Sequence, residues 1–191
     1  MLNYRKNYTL FAPHDIPGVV DFLGGDRAAE AFLDDLFDNG IYYVGDEFSM
    51  HAPYIYNFCG MPWKTQRRVY DIVNTYYLPS PSGLPGNDDC GQLSAWYLFS
   101  AMGFYPMCPG SPEYQLGVPC LPEVVLHLPN GRDFRIVCEN FGPGRCYVRQ
   151  VTLNGRRLTR PVIRHEDLLA GGELRFTVGD TPATDCYEER L

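Results

Sequence analysis

The sequence lacks the apolar run of about 20 residues that a membrane-spanning helix needs. Behind its first basic positions it also lacks the apolar stretch of about 7–15 residues that is typical of a secretory signal peptide. Positive charge is scarce, since 16 Lys and Arg stand against 23 Asp and Glu, for a formal net charge of −7. Because nucleic acids attract basic surfaces, we expect neither a nucleic acid nor a membrane as partner.

Several motifs that would indicate a chemistry are absent as well. The seven cysteines include no Cys-x-x-Cys pair, so the spacing typical of a zinc site is missing, and full pairing would leave one thiol over. We expect mostly reduced cysteines that pack as small apolar residues. The sequence also contains no glycine-rich nucleotide-binding fingerprint, P-loop, His-Glu-x-x-His or Gly-x-Ser-x-Gly element.

What the sequence does contain is ordinary for a globular protein: 191 residues, of which 45% are apolar and 20% are charged. Aromatic residues are unevenly distributed, because both Trp, 11 of 14 Tyr and 8 of 11 Phe precede residue 110. The change falls in the proline-rich stretch Pro106–Pro112. We predict a boundary there, between a domain of residues 1–109 and one of residues 110–191.

The first part has the three- and four-residue apolar spacing of helices. Four helices are predicted, from Asp26 to Gly40, from Ser49 to about Gly60, from Pro62 to Tyr76 and from about Cys90 to Met102. Asp26 is the expected cap of the first helix, and Leu93 and Trp96 are expected core residues of the fourth.

The second part has the pattern of short strands joined by tight turns. Asn130-Gly131 and Asn154-Gly155 tolerate the positive φ that a hairpin turn needs. The predicted strands are Val124–Leu128, Asp133–Val137, Tyr147–Leu153, Arg157–Val162 and Leu174–Val178. Helices followed by such strands predict an α+β fold with an antiparallel sheet or sandwich.

The densest polar cluster is Asn87-Asp88-Asp89, which runs into the fourth predicted helix. Oxygen-bearing side chains in a row can hold a hard cation, and a carboxylate there can act as a base toward water. Alternatively, Asp88 or Asp89 caps the helix. A cap needs one such residue, whereas the sequence supplies three and a downstream Gln92.

Two weaker clusters precede it. Asp46 and Glu47, with His51 four positions further on, lie among aromatic residues and suit a sugar or metal pocket. Alternatively, the two acids favour the start of the coming helix and His51 is a surface residue. His14 and Asp15 form an imidazole–carboxylate pair in a loop stiffened by two prolines, and a structural histidine is the alternative there.

Three stretches, in this order, resemble the calcium-dependent exo-α-mannosidases of glycoside hydrolase family 92: PHDIPGVVDFLGG, GDEFSMHAPYIYNFCGMPWKTQ and SGLPGNDDCGQLSAWYLFSAMGFYPMCPGSPEYQLGVP. The resemblance runs from about residue 3 to residue 182, and GLPGNDDCGQLSAWY is its most specific part. Members of that family have an N-terminal β-sandwich followed by an (α/α)6 barrel whose last segments return as strands. The resemblance therefore implies about four barrel helices (residues 1–109) followed by a β-rich region (residues 110–191).

The same resemblance implies hydrolysis of terminal α-linked mannose in glycans, with inversion at the anomeric carbon. Asp89 matches the general base and Asn87 an assisting residue. The implied metal is calcium, which holds the mannose hydroxyls at C2 and C3. Its implied ligands are Asn87, Asp88 and Glu47. The implied sugar-binding residues are Asp46, Glu47, His51, His14 and Asp15.

The chain departs from the common family pattern in places. Asp46 and Phe48 stand where Asn and Pro are usual, and Met50 often has a His in its place, so two bulky apolar residues are expected beside the pocket. The residues of PWKTQ, among them Trp63, Lys64 and Gln66, match a family element. Its role is either to pack the loop or to contact the sugar.

No Glu-Gly-Asn-like element, which carries the family's general acid, precedes the first of the three stretches. The resemblance thus implies the last quarter of an enzyme, whose partner is a missing N-terminal part and which is inactive alone. Full-length relatives are commonly exported, and the compartment of this chain is left open. Two alternatives remain: a non-catalytic carbohydrate-binding or scaffold module, and another (α/α)6-barrel enzyme such as a phosphorylase.

Overall fold

The computed structural model describes residues 5–189 and residue 191, and within them five α-helices precede the strands and a sixth lies between the last two strands. The helices are α1 (Arg5–Thr9), α2 (Ile16–Phe22), α3 (Asp26–Asp38), α4 (Pro62–Tyr76), α5 (Gln92–Met102) and α6 (His165–Leu169). The strands are β1 (Phe104–Tyr105), β2 (Glu113–Leu116), β3 (Glu123–His127), β4 (Asp133–Glu139), β5 (Tyr147–Leu153), β6 (Arg156–Arg157), β7 (Val162–Arg164) and β8 (Gly172–Gly179). This order confirms the α+β prediction.

The helices of the first part follow the apolar spacing, with differences at their ends. Helix α4 has the predicted bounds, whereas α3 is preceded by Gly25 as N-cap, so Asp26 is its first residue and not its cap. The short aromatic helix is realised as two 3₁₀ helices, Glu47–Ser49 and Ala52–Asn57. No helix of the described residues is long and apolar enough to cross a membrane.

The strands form two sheets, with one departure from the antiparallel expectation. The first sheet has the order β1-β2-β7 and the second the order β3-β4-β8-β5-β6. Every pair is antiparallel except β4 and β8, which run parallel. A parallel pair requires a long crossover connection, and here the chain between β4 and β8 forms three strands and α6.

The second predicted hairpin is also only partly present. Strand β6 pairs with β5 through Arg156 and Arg157, but the following β7 pairs with β2 in the other sheet. Pro161, just before β7, cannot donate to a ladder, and its carbonyl accepts from Leu116 N at 2.8 Å. The predicted strand Arg157–Val162 is therefore wrong, because the chain changes sheets at this proline.

Two hydrophobic clusters fill the interior, one among the helices and one among the strands. Leu93 and Trp96 are buried in the helical cluster, as predicted. Hydrogen bonds join the two parts: Asn57 Nδ2 donates to Leu116 O at 2.9 Å, and Val148 N donates to Gln66 Oε1 at 2.9 Å. The boundary near residue 109 remains a prediction. All seven cysteines are free thiols, of which four are buried, two are half-buried and one is exposed.

Candidate active site

Two loops of the helical part bring three carboxylates together. Asp46 and Glu47 lie at the start of the first 3₁₀ helix, and Asp89 lies in the loop before α5. One carboxylate oxygen from each of the three lies within 4.8 Å of the others. We name this group the carboxylate cluster. Asp89 lies more than 40 positions after Asp46 and Glu47 in the sequence, so only the tertiary fold assembles the cluster.

Two glycines allow the loops to approach this closely. A Cβ on Gly86 would lie 2.3 Å from Gly45 O and 2.7 Å from Gly45 Cα. A Cβ on Gly45 would lie 2.9 Å from Pro85 O. Because any side chain at either position would collide with backbone, the crossing of the loops depends on both glycines.

Buried hydrogen bonds hold the first loop in place. Ser49 Oγ donates to the carbonyl oxygen of Tyr43, and it lies 2.9 Å from Asp46 O. Trp96 Nε1, on α5, donates to Met50 O at 2.8 Å. The loop that carries Asp46 and Glu47 is thereby tied to the helix that follows Asp89.

Asp88 supports the start of α5. Its Oδ1 accepts from Ser94 N at 2.9 Å and its Oδ2 from Ser94 Oγ at 3.1 Å, while its carbonyl accepts from Gln92 N at 2.7 Å. The residue at the N-cap position is Gly91, which has no side chain that could cap the helix. The capping alternative from the sequence thus describes Asp88 and not Asp89.

The backbone is strained at Asp89 and Cys90, just before α5 begins. Asp89, Cys90 and Gly91 have φ of 45°, 61° and 96°, all in the left-handed region. For a residue with a Cβ this conformation costs about 1–2 kcal/mol, so the surrounding contacts must maintain it. Such strain often accompanies function.

The cluster concentrates negative charge. Partial burial contributes most to raising the pKa of Asp89, followed by the charge of Glu47 and a hydrogen bond shared with it, and then by the charges of Asp46 and Asp88. Adjacent carboxylates repel one another unless a proton or a cation lies between them. The three groups therefore suit a cation, a shared proton, or both.

The glycosyl hydrolase family 92 catalytic domain matches residues 4–180 of the chain. The chain belongs to this family. A secreted glycosidase of Arthroderma benhamiae, described as uncharacterized, is 34% identical over 172 residues, which are 88% of this chain and 22% of that protein.

Solved structures of family 92 agree with this assignment. An α-mannosidase of Bacteroides thetaiotaomicron superposes with a TM-score of 0.90 at 34% identity, over 95% of this chain and 25% of that one. It has also been solved in complex with mannoimidazole. An inverting mannosidase of the same organism gives a TM-score of 0.90 at 34% identity, over 96% of this chain and 28% of that one. The chain spans about a quarter of the length of these proteins.

His51, His14 and Asp15, which the family resemblance also singles out, are not members of the carboxylate cluster. His51 is 3% exposed, and its Nε2 lies 2.6 Å from Leu10 O. Burial lowers the pKa of His51, so the ring is neutral and Nε2–H donates. The alternative of a surface histidine is therefore wrong, and a role of His51 toward sugar rests on the resemblance alone.

His14 and Asp15 occupy a different region. Asp15 caps α2, accepting from Gly18 N at 3.0 Å. His14 lines a cavity of about 150 Å³ together with Phe58 and Met107. Their place in a sugar site remains a prediction, whereas Asn87 is exposed on the loop of Asp89 itself.

The apolar replacements and the PWKTQ element contribute to packing. Phe48 is buried and stacks on Tyr8 with ring centroids 4.0 Å apart, and Met50 is also buried. Lys64 forms ion pairs with Glu30 at 2.6 Å and Asp34 at 2.5 Å. These contacts favour the packing interpretation of PWKTQ, and they place Phe48 and Met50 in the interior.

Sequence reasoning missed three contributors to the site: Gly45, Gly86 and Ser94. The two glycines directly precede the acidic residues Asp46 and the Asn87-Asp88-Asp89 run, which is the signal that could have found them. No local pattern identifies Ser94 as the partner of Asp88.

Proposed function

We propose that this chain provides the water-activating side of the active site of a glycoside hydrolase that removes terminal α-linked mannose from glycans with inversion. Family membership supports glycosidase chemistry, and the similar solved proteins are α-mannosidases. The observation that carries the proposal is the carboxylate cluster, in which Asp89 lies beside Asp46 and Glu47 on two crossing loops.

Asp89 is the proposed general base. Partial burial and then the neighbouring negative charges raise its pKa in the metal-free protein, and a carboxylate in this position can accept a proton from water. Its carboxylate would accept a proton from the attacking water, with Asn87 beside it orienting that water. In an inverting enzyme the general acid lies about 6.5–9.5 Å from the base, on the opposite face of the sugar.

Calcium is the proposed cation. Asp46, Glu47 and Asn87 offer only oxygen ligands, which is the donor set that calcium prefers. The implied ligand Asp88 is instead engaged by Ser94, so Asp46 replaces it in our assignment. A bound calcium would supply fixed positive charge to hold two mannose hydroxyls. Asp46 and Glu47 would hold the ion and keep it beside Asp89.

The proposed partner is the N-terminal part of a longer enzyme, which would supply the general acid. Helix α5 is apolar on nearly all sides, and such helices are normally covered. Tyr97 and Leu98 are nevertheless exposed, and they line an open groove of about 690 Å³ with Leu78 and Leu84. We propose that the rest of the enzyme covers this groove, and that the chain alone does not hydrolyse mannosides.

The test of Asp89 uses an enzyme that carries this segment and an aryl α-mannoside. Asp89→Asn is expected to lower kcat by about 10²–10⁴-fold with an unchanged Tm, since one proton acceptor is lost. Asp180→Asn, an exposed aspartate outside the cluster, is the matched control with normal kcat. A near-normal rate for Asp89→Asn would remove Asp89 as the base. Mannose binding without any turnover by the wild type would favour the non-catalytic module.

The test of the cation is binding itself. Calcium is expected to bind the wild type in isothermal titration, and Glu47→Gln is expected to weaken that binding at least about tenfold, because it removes a ligand charge. Equal calcium affinity in both proteins would show that the ion does not bind at the carboxylate cluster.

A further inference from the structure

Helix α5 is capped by a residue that does not stand at the usual cap position. Ordinarily the side chain of the residue directly before a helix accepts the backbone N–H of the second or third helical residue. Here that position is occupied by Gly91, and the N–H of Ser94, the third residue of α5, donates instead to Asp88 Oδ1 at 2.9 Å. The three residues Asp89, Cys90 and Gly91 thus form a loop between the capping carboxylate and the helix.

This loop holds a backbone conformation that needs support. All three of its residues have φ in the left-handed region, where a Cβ meets steric hindrance. Glycine tolerates this region best, and asparagine and aspartate tolerate it better than other residues. Cys90 is the one described residue of any other type that adopts it. Three consecutive residues in this conformation persist only where both ends of the loop are fixed.

Ser94 fixes the end of the loop at which Asp88 stands. Its N and its Oγ donate to the two carboxylate oxygens of Asp88, at 2.9 Å and 3.1 Å. The carbonyl oxygen of Asp88 accepts from Gly91 N at 3.0 Å and from Gln92 N at 2.7 Å, which closes the loop from the other side. Hydrogen bonds to a carboxylate are stronger than those between neutral groups. Helix α5 therefore sets the position of Asp88 and of the loop that begins there.

We infer that Ser94 is a positioning residue, which places Asp89 in the carboxylate cluster by holding Asp88. This inference rests on the proposed function, in which Asp89 is the base. Ser94 acts through Asp88 and contacts neither the ion nor the sugar. The competing explanation is that Asp88 is itself a calcium ligand and that Ser94 holds it back. Removal of the Ser94 hydroxyl would then free a carboxylate for the ion and strengthen calcium binding.

Three serine variants on α5 separate positioning from general stability. Ser94→Ala removes the hydroxyl and keeps the backbone bond to Asp88. Ser94→Thr keeps the hydroxyl, and its added methyl group has room because Ser94 is half-buried and lines the open groove. Ser100→Ala is the matched control, since Ser100 Oγ lies 2.9 Å from Tyr54 Oη in the interior. It also loses one hydrogen bond of α5, but away from the loop.

The first measurement is amide hydrogen exchange at Gly91 and Gln92 in the calcium-free chain. We expect Ser94→Ala to exchange about tenfold faster than the wild type, because both amides donate to the carbonyl of Asp88. Ser94→Thr and Ser100→Ala are expected to keep the wild-type rates. Unchanged exchange in Ser94→Ala would overturn the inference whether or not the cluster binds calcium, so this failure is distinct from a failure of the proposed function.

The second measurement is the calcium affinity of the same proteins in isothermal titration. Ser94→Ala is expected to bind about fivefold more weakly than the wild type, the equivalent of one lost hydrogen bond, while Ser94→Thr and Ser100→Ala bind normally. Equal or tighter binding by Ser94→Ala would contradict a positioning role, and tighter binding would identify Asp88 as a ligand. If the wild type binds no calcium, the proposed cation is wrong, and hydrogen exchange with its threonine rescue decides the inference.

Discussion

The helical and the β-rich parts of the chain use charge in opposite ways. On the sheet, Arg135 contacts Glu123 at 2.8 Å and Glu173 at 3.1 Å, and Arg175 contacts Glu139 at 2.6 Å, so opposite charges alternate across neighbouring strands. In the carboxylate cluster of the helical part, like charges meet where two loops cross, and the backbone of one of these loops is strained at Asp89. The sheet balances its charges within itself, whereas the cluster requires something else to balance it.

The two parts also differ in how completely they cover their apolar residues. The buried face of the sheet packs on its own cluster, with Phe134, Phe176 and Leu174 fully buried. Helix α5 leaves Leu98 60% exposed. In the β-rich part no described large apolar residue is more than half exposed, Phe141 being the most exposed at 45%, while the helical part provides the chemistry and the larger uncovered apolar surface. Each of the following predictions tests this contrast.

The largest effect is expected from removing a core aromatic residue in each part. Trp96→Ala and Phe176→Ala should each lower the free energy of unfolding by about 3–5 kcal/mol in urea denaturation. Only Trp96→Ala also removes the bond to Met50 O that ties the first loop, so only it should weaken calcium binding. Equal calcium affinity in both variants would contradict the claim that only the helical part positions the carboxylate cluster.

The next effect concerns the crossing of the loops. Gly86→Ala places a Cβ 2.3 Å from Gly45 O, and this overlap should cost about 1–3 kcal/mol of stability and weaken calcium binding. Gly142→Ala is the control in the β-rich part, where a Cβ would meet its nearest atom at an ordinary 3.7 Å. If the two variants match in unfolding free energy and calcium affinity, the close approach is not required.

A smaller effect is expected from the ion pairs between α3 and α4. Burial acts to raise the pKa of Asp34, but hydrogen bonds from Lys64 and Tyr56 and the charges of Lys64 and Arg68 lower it overall. Because the folded pKa lies below the unfolded value of 3.8, the stabilisation is present above pH 3.8 and is lost as the pH falls through the folded pKa.

Asp34→Asn should accordingly lower the unfolding free energy at pH 7 by about 1–2 kcal/mol. The difference from wild type should shrink as the pH falls below 3.8. Denaturation at several pH values measures it. A difference that stays constant down to the most acidic pH would contradict the assigned ion pairs.

The smallest effect is expected on the sheet. Arg135→Ala removes two exposed ion pairs and should cost less than about 1 kcal/mol, with the loss reduced further at high salt. Urea denaturation at low and high ionic strength measures this. A loss of several kcal/mol would mean that the alternating charges, and not the apolar core, hold the sheet together.

Prediction from the sequence succeeded for elements whose structure depends on residues close to one another along the chain. Pro62 predicted the start of α4 and the apolar spacing through Tyr76 predicted its end, and Asn130-Gly131 predicted the turn between β3 and β4. Prediction failed where the pairing of a strand depends on a segment that is distant in the sequence. The strand after Asn154-Gly155 breaks at Pro161 because β2 offers its partner in the other sheet, and the parallel pairing of β4 with β8 depends on a crossover.

The sequence by itself determined the α+β order, the helix faces, the hairpin turns and the acidic residues of two loops, because these follow from spacing and turn chemistry along the chain. Only the tertiary structure decided that Asp89 meets Asp46 and Glu47 while Asp88 binds Ser94. The reason is physical: the meeting depends on the close backbone approach of Gly45 and Gly86, a contact between segments about 40 positions apart that no local pattern encodes.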